Sequence, residues 1–472
     1  MPLLTLLKQL LGAHSPPIPD VGPRFLGPET DLPTFVRLSP VAMRYYHLLN
    51  LIDWRDFPER RFNRVYPQLP VSYATFAAAY LIKIDQGFHY LSSLRRFLVE
   101  HPELVWLLGF RLHVSVGVRH GFDANLSLPT QRHLTQMLRR IPNACFQFLL
   151  DQTINAIQHR IGPIGTAISL DTKHILAWVK ENNPKAYTHD RFNKHKQPTG
   201  DQDCRLGCKR RHNVSPDNPT PTTNPQSASA LKQSIGEFYW GYASGVVATK
   251  VPDLGEFVLA ELTQTFDASD VSYFEPLMHQ VEACLGCKPR FGAFDAAFDA
   301  FYIYEYFARD PDWQQGFAAV PLSGRSHETH FDANGHPLCP AGLSFHPAYT
   351  FTCRTTLVEH ERTHYICPLK GQDCPIQHPR AAKGGCTHRL PTSVGARLRH
   401  QIDHESSLYK EIYRQRTATE RINSQACALG IERPFLRNRE AITNQNTLIY
   451  VLINLRAVLR VDQRLLPTHA VA

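Results

Sequence analysis

Three acids, one guanidinium and one phenol are the groups of this 472-residue chain whose types and spacing best suit chemistry. Asp171 follows the apolar run TAISL, Asp295 follows RFGAF, and Glu420 lies far downstream. Acids at the ends of apolar strands sit at a sheet edge, where α/β sites form. Converging carboxylates suit Mg²⁺ or Mn²⁺, hard ions that prefer oxygen ligands. Two such ions clamp the attacking and leaving oxygens of an in-line phosphodiester displacement. Asp171, Asp295 and Glu420 are therefore the candidate catalytic acids and metal ligands. Tyr413 and Arg416 precede Glu420 by seven and four residues, so on a helix the three share one face. Arg416 is placed to hold a phosphate bidentately, and Tyr413 to orient the carboxylate or touch backbone phosphate. Plainer roles stand beside each of these. Asp171 could be a strand-end turn residue, Asp299 rivals Asp295 or caps the next helix, and Glu420 could simply pair with Arg416 on a solvated face.

The elements that must carry these groups divide the chain into five stretches. Residues 1–40 are Pro-rich and weakly patterned, and read as an extended lead-in. Their first fourteen residues form a short amphipathic helix rather than a signal peptide, because no basic n-region or clean cleavage site is present. Residues 41–160 show helical periodicity throughout, with Thr130 as an N-cap candidate. Arg95, Arg96, Arg132, Arg139 and Arg140 make this helical domain a candidate DNA-binding domain, the alternative being a bundle with solvated arginines. Residues 161–310 alternate as strands, with helices after the third strand and after Asp295. A Pro-, Ser-, Thr- and Asn-rich stretch, about 190–235, interrupts them as an expected mobile loop. Residues 311–404 are an insertion rich in Cys, His and short β-like pieces. Residues 405–472 return to helix: residues 407–429 as one two-striped helix, then an apolar closing helix. The expected class is α/β: a mixed sheet flanked by helices, with an all-helical N-terminal domain and a Cys/His-rich β insertion.

The chain carries a formal charge of +9 and 24 histidines. A basic balance suits a polyanion, since Lys and Arg gain counterion-release free energy on phosphate backbones. No stretch reaches ~18 uninterrupted apolar residues, so no membrane span is expected. Neither a Ser-His-Asp arrangement nor a P-loop is visible, which argues against triad hydrolysis and ATP use. Eleven cysteines without a secretory signal are reduced thiols or metal ligands rather than a disulfide framework. Cys367, Cys374, Cys386 and either Cys353 or Cys339, with Cys353 preferred, are the candidate zinc ligands of the insertion. Cys204 and Cys208 with His212 make a weaker set, and Cys284 and Cys287 read as packing.

Taken together, the segments LDTKHI around Asp171, GAFDAAFD around Asp295, and the Y-x2-R-x3-E pattern of Tyr413, Arg416 and Glu420 resemble the DDE transposases of bacterial insertion sequences. GEFYWGYASGV is similar to the strand those enzymes place between their first two acids, and the helical N-terminal part is similar to theirs. The resemblance covers most of residues 40–460. It implies an RNase H-like catalytic domain, strand nicking and transfer with Mg²⁺ or Mn²⁺, and Asp171, Asp295 and Glu420 as the metal-holding acids. It also implies double-stranded DNA partners (terminal inverted repeats and target), a homodimer in the synaptic complex, and a cytoplasmic, nucleoid-associated site of action. Arg380, Lys383, Arg389, Arg397 and Arg399 of the insertion would then face transposon-end DNA. One position departs from the pattern: the family continues x6 to Lys or Arg, and here Cys427 stands there. Either Arg421 or Lys410 supplies the missing cation, or the chain is a weakened or domesticated relative that acts by binding DNA.

Overall fold

The computed structural model describes residues 22–60, 71–211, 235–308, 316–321, 329–354, 357–370, 372–378, 380 and 385–465. Its frame is a curled mixed sheet with helices on both faces. Strand β1 (Ala167–Leu176) is central. Strand β2 (Arg205–Arg211) and the 17-residue β3 (Ile235–Val251) follow, then β4 (Gly255–Thr265), β5 (Phe291–Ala293) and β6 (Phe317–Ala319). β3 runs antiparallel to β1 through Ser169↔Ala248 to Leu176↔Gly241, and β4 pairs antiparallel on its other edge. β5 and then β6 extend the sheet in parallel beyond β1. The first half of β3 instead pairs β2, from Arg205↔Gly241 to Arg211↔Ile235. The changeover falls at Gly241, where a Cβ would sit 2.1 Å from the Ile175 carbonyl oxygen.

β2 corrects the expectation of one mobile loop over 190–235. Its basic sequence carries little strand signal, and β3 supplies the partner. Residues 212–234 of that stretch lie outside the described residues, as do residues 1–21 of the expected lead-in. Residues 22–39 are not extended. They fold back as two 3₁₀ turns and a helical turn (Thr34–Arg37), burying Phe25, Leu32 and Val36. Gly109 fixes this return: its φ is +83°, and a Cβ there would lie 1.7 Å from the Gly22 carbonyl oxygen.

Among the described residues, six helices of seven or more residues precede the sheet: α1 (Pro40–Leu49), α2 (Tyr73–Asp85), α3 (Leu91–Glu100), α4 (Pro102–Leu108), α5 (Gln131–Arg140) and α6 (Asn143–Ile161). This part is not the all-helical domain expected: His113–Val114 pairs antiparallel with Phe122–Asp123 just before a single helical turn, Ala124–Ser127. Thr130 caps α5 by accepting from the His133 amide at 3.2 Å, as its sequence indicates. The alanine-rich α2 is apolar all round and is buried nearly throughout. Helices α7 (Phe274–Leu285) and α8 (Phe301–Ala308) flank β5, as the alternation of patterns predicts. The insertion forms an antiparallel sheet, ordered β9-β8-β7, from β7 (His346–Cys353), β8 (His360–Ile366) and β9 (Thr387–Pro391). α9 (Gly395–Gln401) leads back to α10 (Ser407–Tyr413), α11 (Thr417–Ala428) and the 27-residue α12 (Arg439–Leu465).

α12 joins the parts. One continuous core contains Phe76, Leu94 and Phe146 of the first helices, Tyr242 and Val246 of β3, Ile422 of α11 and Leu448 of α12. The polar segment TNQNT lies inside α12, and its buried groups are bonded except Asn446 Oδ1, which has no partner among the described residues. Asn444 donates to the Leu138 and Ile141 carbonyls, and Thr447 donates to Glu261. Farther along α12, Asn454 brackets the Val258 peptide, donating to its carbonyl at 2.8 Å and accepting from its amide at 2.9 Å. Among the described residues, no helix is long and apolar enough to cross a membrane.

Candidate active site

β1 and β5 set the two aspartates side by side. Their parallel register ends at Ser169↔Ala293; Asp171 lies two residues on in β1 and Asp295 two residues beyond the end of β5, close enough for the Asp295 charge to act on Asp171. Asp171 lies at mid-strand rather than at a strand end, because Thr172–Leu176 continue the pairing with β3. Asp295 follows the end of β5, where its Oδ1 accepts from the Ala297 amide at 2.8 Å. Its rival Asp299 is held elsewhere: it accepts from Tyr304 Oη at 3.0 Å and from Arg399 at 2.5 Å. That buried pair also removes Arg399 from the expected DNA face.

Burial raises the Asp171 carboxyl to about 6; the Thr172 amide opposes this, Asp295 adds to it, and Arg416 pulls it back. Asp295 is likewise raised by burial, opposed by the Ala297 amide, raised again by Asp270 and lowered by Arg416. Two half-buried carboxyls that resist ionising together are a place where bound positive charge is favoured. Asp270 belongs to the same group. It follows β4 in a 3₁₀ turn, accepts from Thr172 Oγ1 at 2.7 Å, and adds to the repulsion on both aspartates. The sequence offered no signal for it beyond an ordinary turn acid in DASDVS.

The helix over 407–429 tightens at its middle, where the backbone stays right-handed helical but narrows to a 3₁₀ turn. α10 ends at Tyr413, a 3₁₀ turn spans Arg414–Arg416, and α11 begins at Thr417. The cause is local. Thr417 and Thr419 hydroxyls donate to the carbonyls of Arg414 and Arg416, at 2.8 and 2.9 Å, and tighten the chain there. Tyr413, Arg416 and Glu420 nevertheless keep company across the turn. Burial works against the Arg416 charge, but hydrogen bonds to Glu420 and Tyr413 outweigh it and hold the guanidinium above its usual range. Arg416 Nη2 donates to Glu420 Oε1 at 2.5 Å, with half of the Glu420 side chain exposed. The structure therefore brings Asp171 and Asp295 together and sets Arg416 within electrostatic reach of both, while Glu420 is not brought to that pair and instead makes the half-exposed i,i+4 pair with Arg416.

α11 also touches β1 directly. Asn423 Nδ2 donates to Asp171 Oδ2 at 3.0 Å, and the other oxygen accepts from the Thr172 amide. Asn423 Oδ1 is buried without a hydrogen-bond partner among the described residues. One turn on along α11, and two residues on along β1, the next pair is Cys427 and Lys173. Burial disfavours the Lys173 charge, yet hydrogen bonds to Glu432 and Cys427 raise its ammonium. The cation beside Cys427 is thus Lys173, not Arg421 or Lys410. Arg421 pairs with Glu256 at 2.6 Å and Lys410 with Glu405 at 2.7 Å. Arg421 instead helps line an open cleft of about 400 Å³ with Lys250, Asp253, Glu256, Arg460 and Arg464.

The donor set suits a divalent cation: hard oxygens, two carboxyls raised by burial and crowding, and an orphaned amide oxygen beside them. Among the described residues, no three His, Cys, Asp or Glu side chains stand close enough to enclose an ion without rearrangement. Cys353, placed with Cys367, Cys374 and Cys386 from sequence, is separated from them by the register of the insertion. It pairs with His360 at one end of β8, whereas Cys367 and Cys386 adjoin the other end. Cys204 is a core residue whose thiol donates to the Asp201 carbonyl, and His212 lies outside the described residues. Compared with known protein families, curated proteins and solved structures, the chain matches none.

Proposed function

We propose that this protein is a DDE-type transposase that nicks and joins DNA strands at transposon ends. The observation that carries the reading is the pairing of Asp171 with Asp295 from neighbouring parallel strands, with Arg416 in reach of both and Glu420 held at its far side. An acid at the middle of the central strand and a second after its parallel neighbour also support the RNase H-like reading of the mixed sheet. Asp171, Asp295 and Glu420 would hold Mg²⁺ or Mn²⁺, with Asp270 as a further carboxylate at the rim. Bound there, the ions would stabilise the attacking and leaving oxygens of phosphodiester displacement.

The chain's own residues have distinct tasks. Asn423 and the Thr172 amide fix both oxygens of Asp171. Arg416 lowers the proton affinity of both aspartates and orients Glu420 by hydrogen bond. Once a phosphate enters, the same guanidinium is placed to hold it bidentately. Lys173 supplies, from a strand, the cation that the family pattern places at the position of Cys427. Arg460, Arg464 and Lys250, in the cleft that opens beside α11, suit the backbone of the bound duplex. A water and then a 3′-hydroxyl would serve as nucleophiles, and joining two ends calls for a dimer.

Cys427 favours a second reading, a DNA-binding relative without strand transfer. A nicking assay with Mg²⁺ decides between them, using duplexes that carry the inverted repeats flanking the reading frame. The wild type should nick at the repeat boundary, and Asp171→Ala and Asp295→Ala should fall at least ~100-fold. Wild-type protein that binds these duplexes without nicking establishes the second reading. Nicking that persists in Asp171→Ala overturns the first.

A further inference from the structure

The register of the inserted sheet sorts its cysteines. Cys353 faces His360, while at the opposite end Ile366 pairs with both His346 and Thr387. Cys367 and Cys386 are the next residues beyond that end, and the Cys367 amide donates to the Cys386 carbonyl at 3.0 Å. A Cβ added to Gly385 would lie 3.5 Å from the Cβ of Cys367. At ~3.3 Å per strand residue, Cys353 is about 20 Å from this end.

Three cysteines begin the same local structure. Cys339, Cys367 and Cys374 each precede a proline, and each carbonyl accepts from the amide three residues on: Gly342 at 2.9 Å, Lys370 at 3.2 Å and Gln377 at 2.9 Å. Proline at the second position fixes φ for such a turn, so each thiol stands at the head of a stiff corner. The corners border the end of the sheet at which Cys386 stands. Its Sγ lies 3.2 Å from His378 Nδ1. Cys374 heads the corner that ends one residue before His378, and Cys339 heads the corner of the short hairpin that enters β7 at His346, the partner of Ile366. The sheet they border has little core of its own: β7 is exposed along most of its length, and Tyr365 and Phe345 are among the few buried apolar side chains.

We propose that Cys339, Cys367, Cys374 and Cys386 bind one structural zinc ion, with His378 hydrogen-bonding the Cys386 sulfur. Four thiolates are a soft tetrahedral donor set suited to Zn²⁺ at ~2.3 Å. Such a centre would supply the cross-links that an almost coreless sheet lacks. Binding draws the three corners in toward Cys386, since none of these groups encloses an ion without that movement.

The test is metal content and cobalt spectroscopy of the full-length protein, purified without chelator. One zinc per chain is expected, and Co²⁺ in its place should give the intense visible bands of tetrahedral thiolate ligation. Cys339→Ser and Cys374→Ser should weaken zinc retention at least tenfold against a chelating dye, while Cys353→Ser should match wild type. Should a serine variant fail to fold, mercurial titration of the wild type reads the same site: zinc leaves as four thiols react. No bound zinc, undiminished retention in Cys339→Ser, or loss in Cys353→Ser each overturns the proposal.

Discussion

Asp171→Asn should stabilise the protein while abolishing nicking. Burial holds the Asp171 carboxyl at about 6 against an ordinary 3.8. At 1.36 kcal/mol per tenfold change, ionised Asp171 costs the fold about 3 kcal/mol at pH 7.5. An amide carries no such cost. It can still accept from the Thr172 amide, and its NH₂ gives the orphaned Asn423 Oδ1 a donor once that amide turns over. Allowing for partial solvent access, the net gain should be about 2 kcal/mol. The sign with pH follows from the raised value. Between 3.8 and about 6 the folded chain holds a proton that the unfolded chain has lost, so wild-type stability falls as pH rises through that window. The gap between variant and wild type should be full at pH 7.5 and about a third as large at pH 4.5. Urea unfolding in EDTA, at several pH values, measures it. Mg²⁺ should then reverse the ranking: at 100 times its dissociation constant it adds about 2.7 kcal/mol to a chain that binds it, and the Asn variant should gain little. An Asn variant less stable than wild type at pH 7.5, or a gap that ignores pH, would refute the account of a strained acid pair.

Arg416→Ala should move the acid limb of Mg²⁺-dependent nicking, or of Mg²⁺-induced stabilisation, upward by about one pH unit, because the cation lowering both aspartates is gone; a pH series on both proteins measures it. Lys83→Met should stabilise the chain by about 1–2 kcal/mol at pH 7 in urea unfolding. Lys83 is buried at the α2–α12 contact with Gln445 Oε1 as its acceptor, and burial lowers it to about 8. Wild-type stability should rise between pH 8 and 10.5, where only the unfolded chain still carries that proton, and the Met variant should lack this rise. Asp85→Ala should cost about 2–4 kcal/mol, since the buried carboxylate accepts from Arg44, Tyr45 and Arg456 and ties α1 and α2 to α12.

Local pattern carried much of this molecule. Alternation marked the long strands, Thr130 announced its cap, and the apolar runs before Asp171 and Asp295 marked the strands that carry the one and precede the other. Pairing partners did not carry through. The basic stretch at β2 becomes a strand because β3 is long enough to bind it. Asp270 reads as a turn acid until β1 and β4 bring it to Thr172. Lys173 looks like an ordinary strand lysine until α11 sets Cys427 against it. Spacing led to Cys353 being preferred over Cys339, and the register of β7 on β8 puts Cys353 at the wrong end of the sheet. In each case the missing information was a contact between residues far apart in sequence, which no window along the chain contains.

The 27-residue α12 has a consequence for how the protein is made. It packs on α2, α5, α6 and β4, all of which leave the ribosome before it. At 5–20 residues per second, α6 must wait roughly 15–60 s after its own completion before α12 begins to appear. Throughout that interval the faces of the first helices that α12 will cover remain exposed. The helical half of the molecule therefore emerges as an unfinished bundle, whose open faces are covered only when α12 follows.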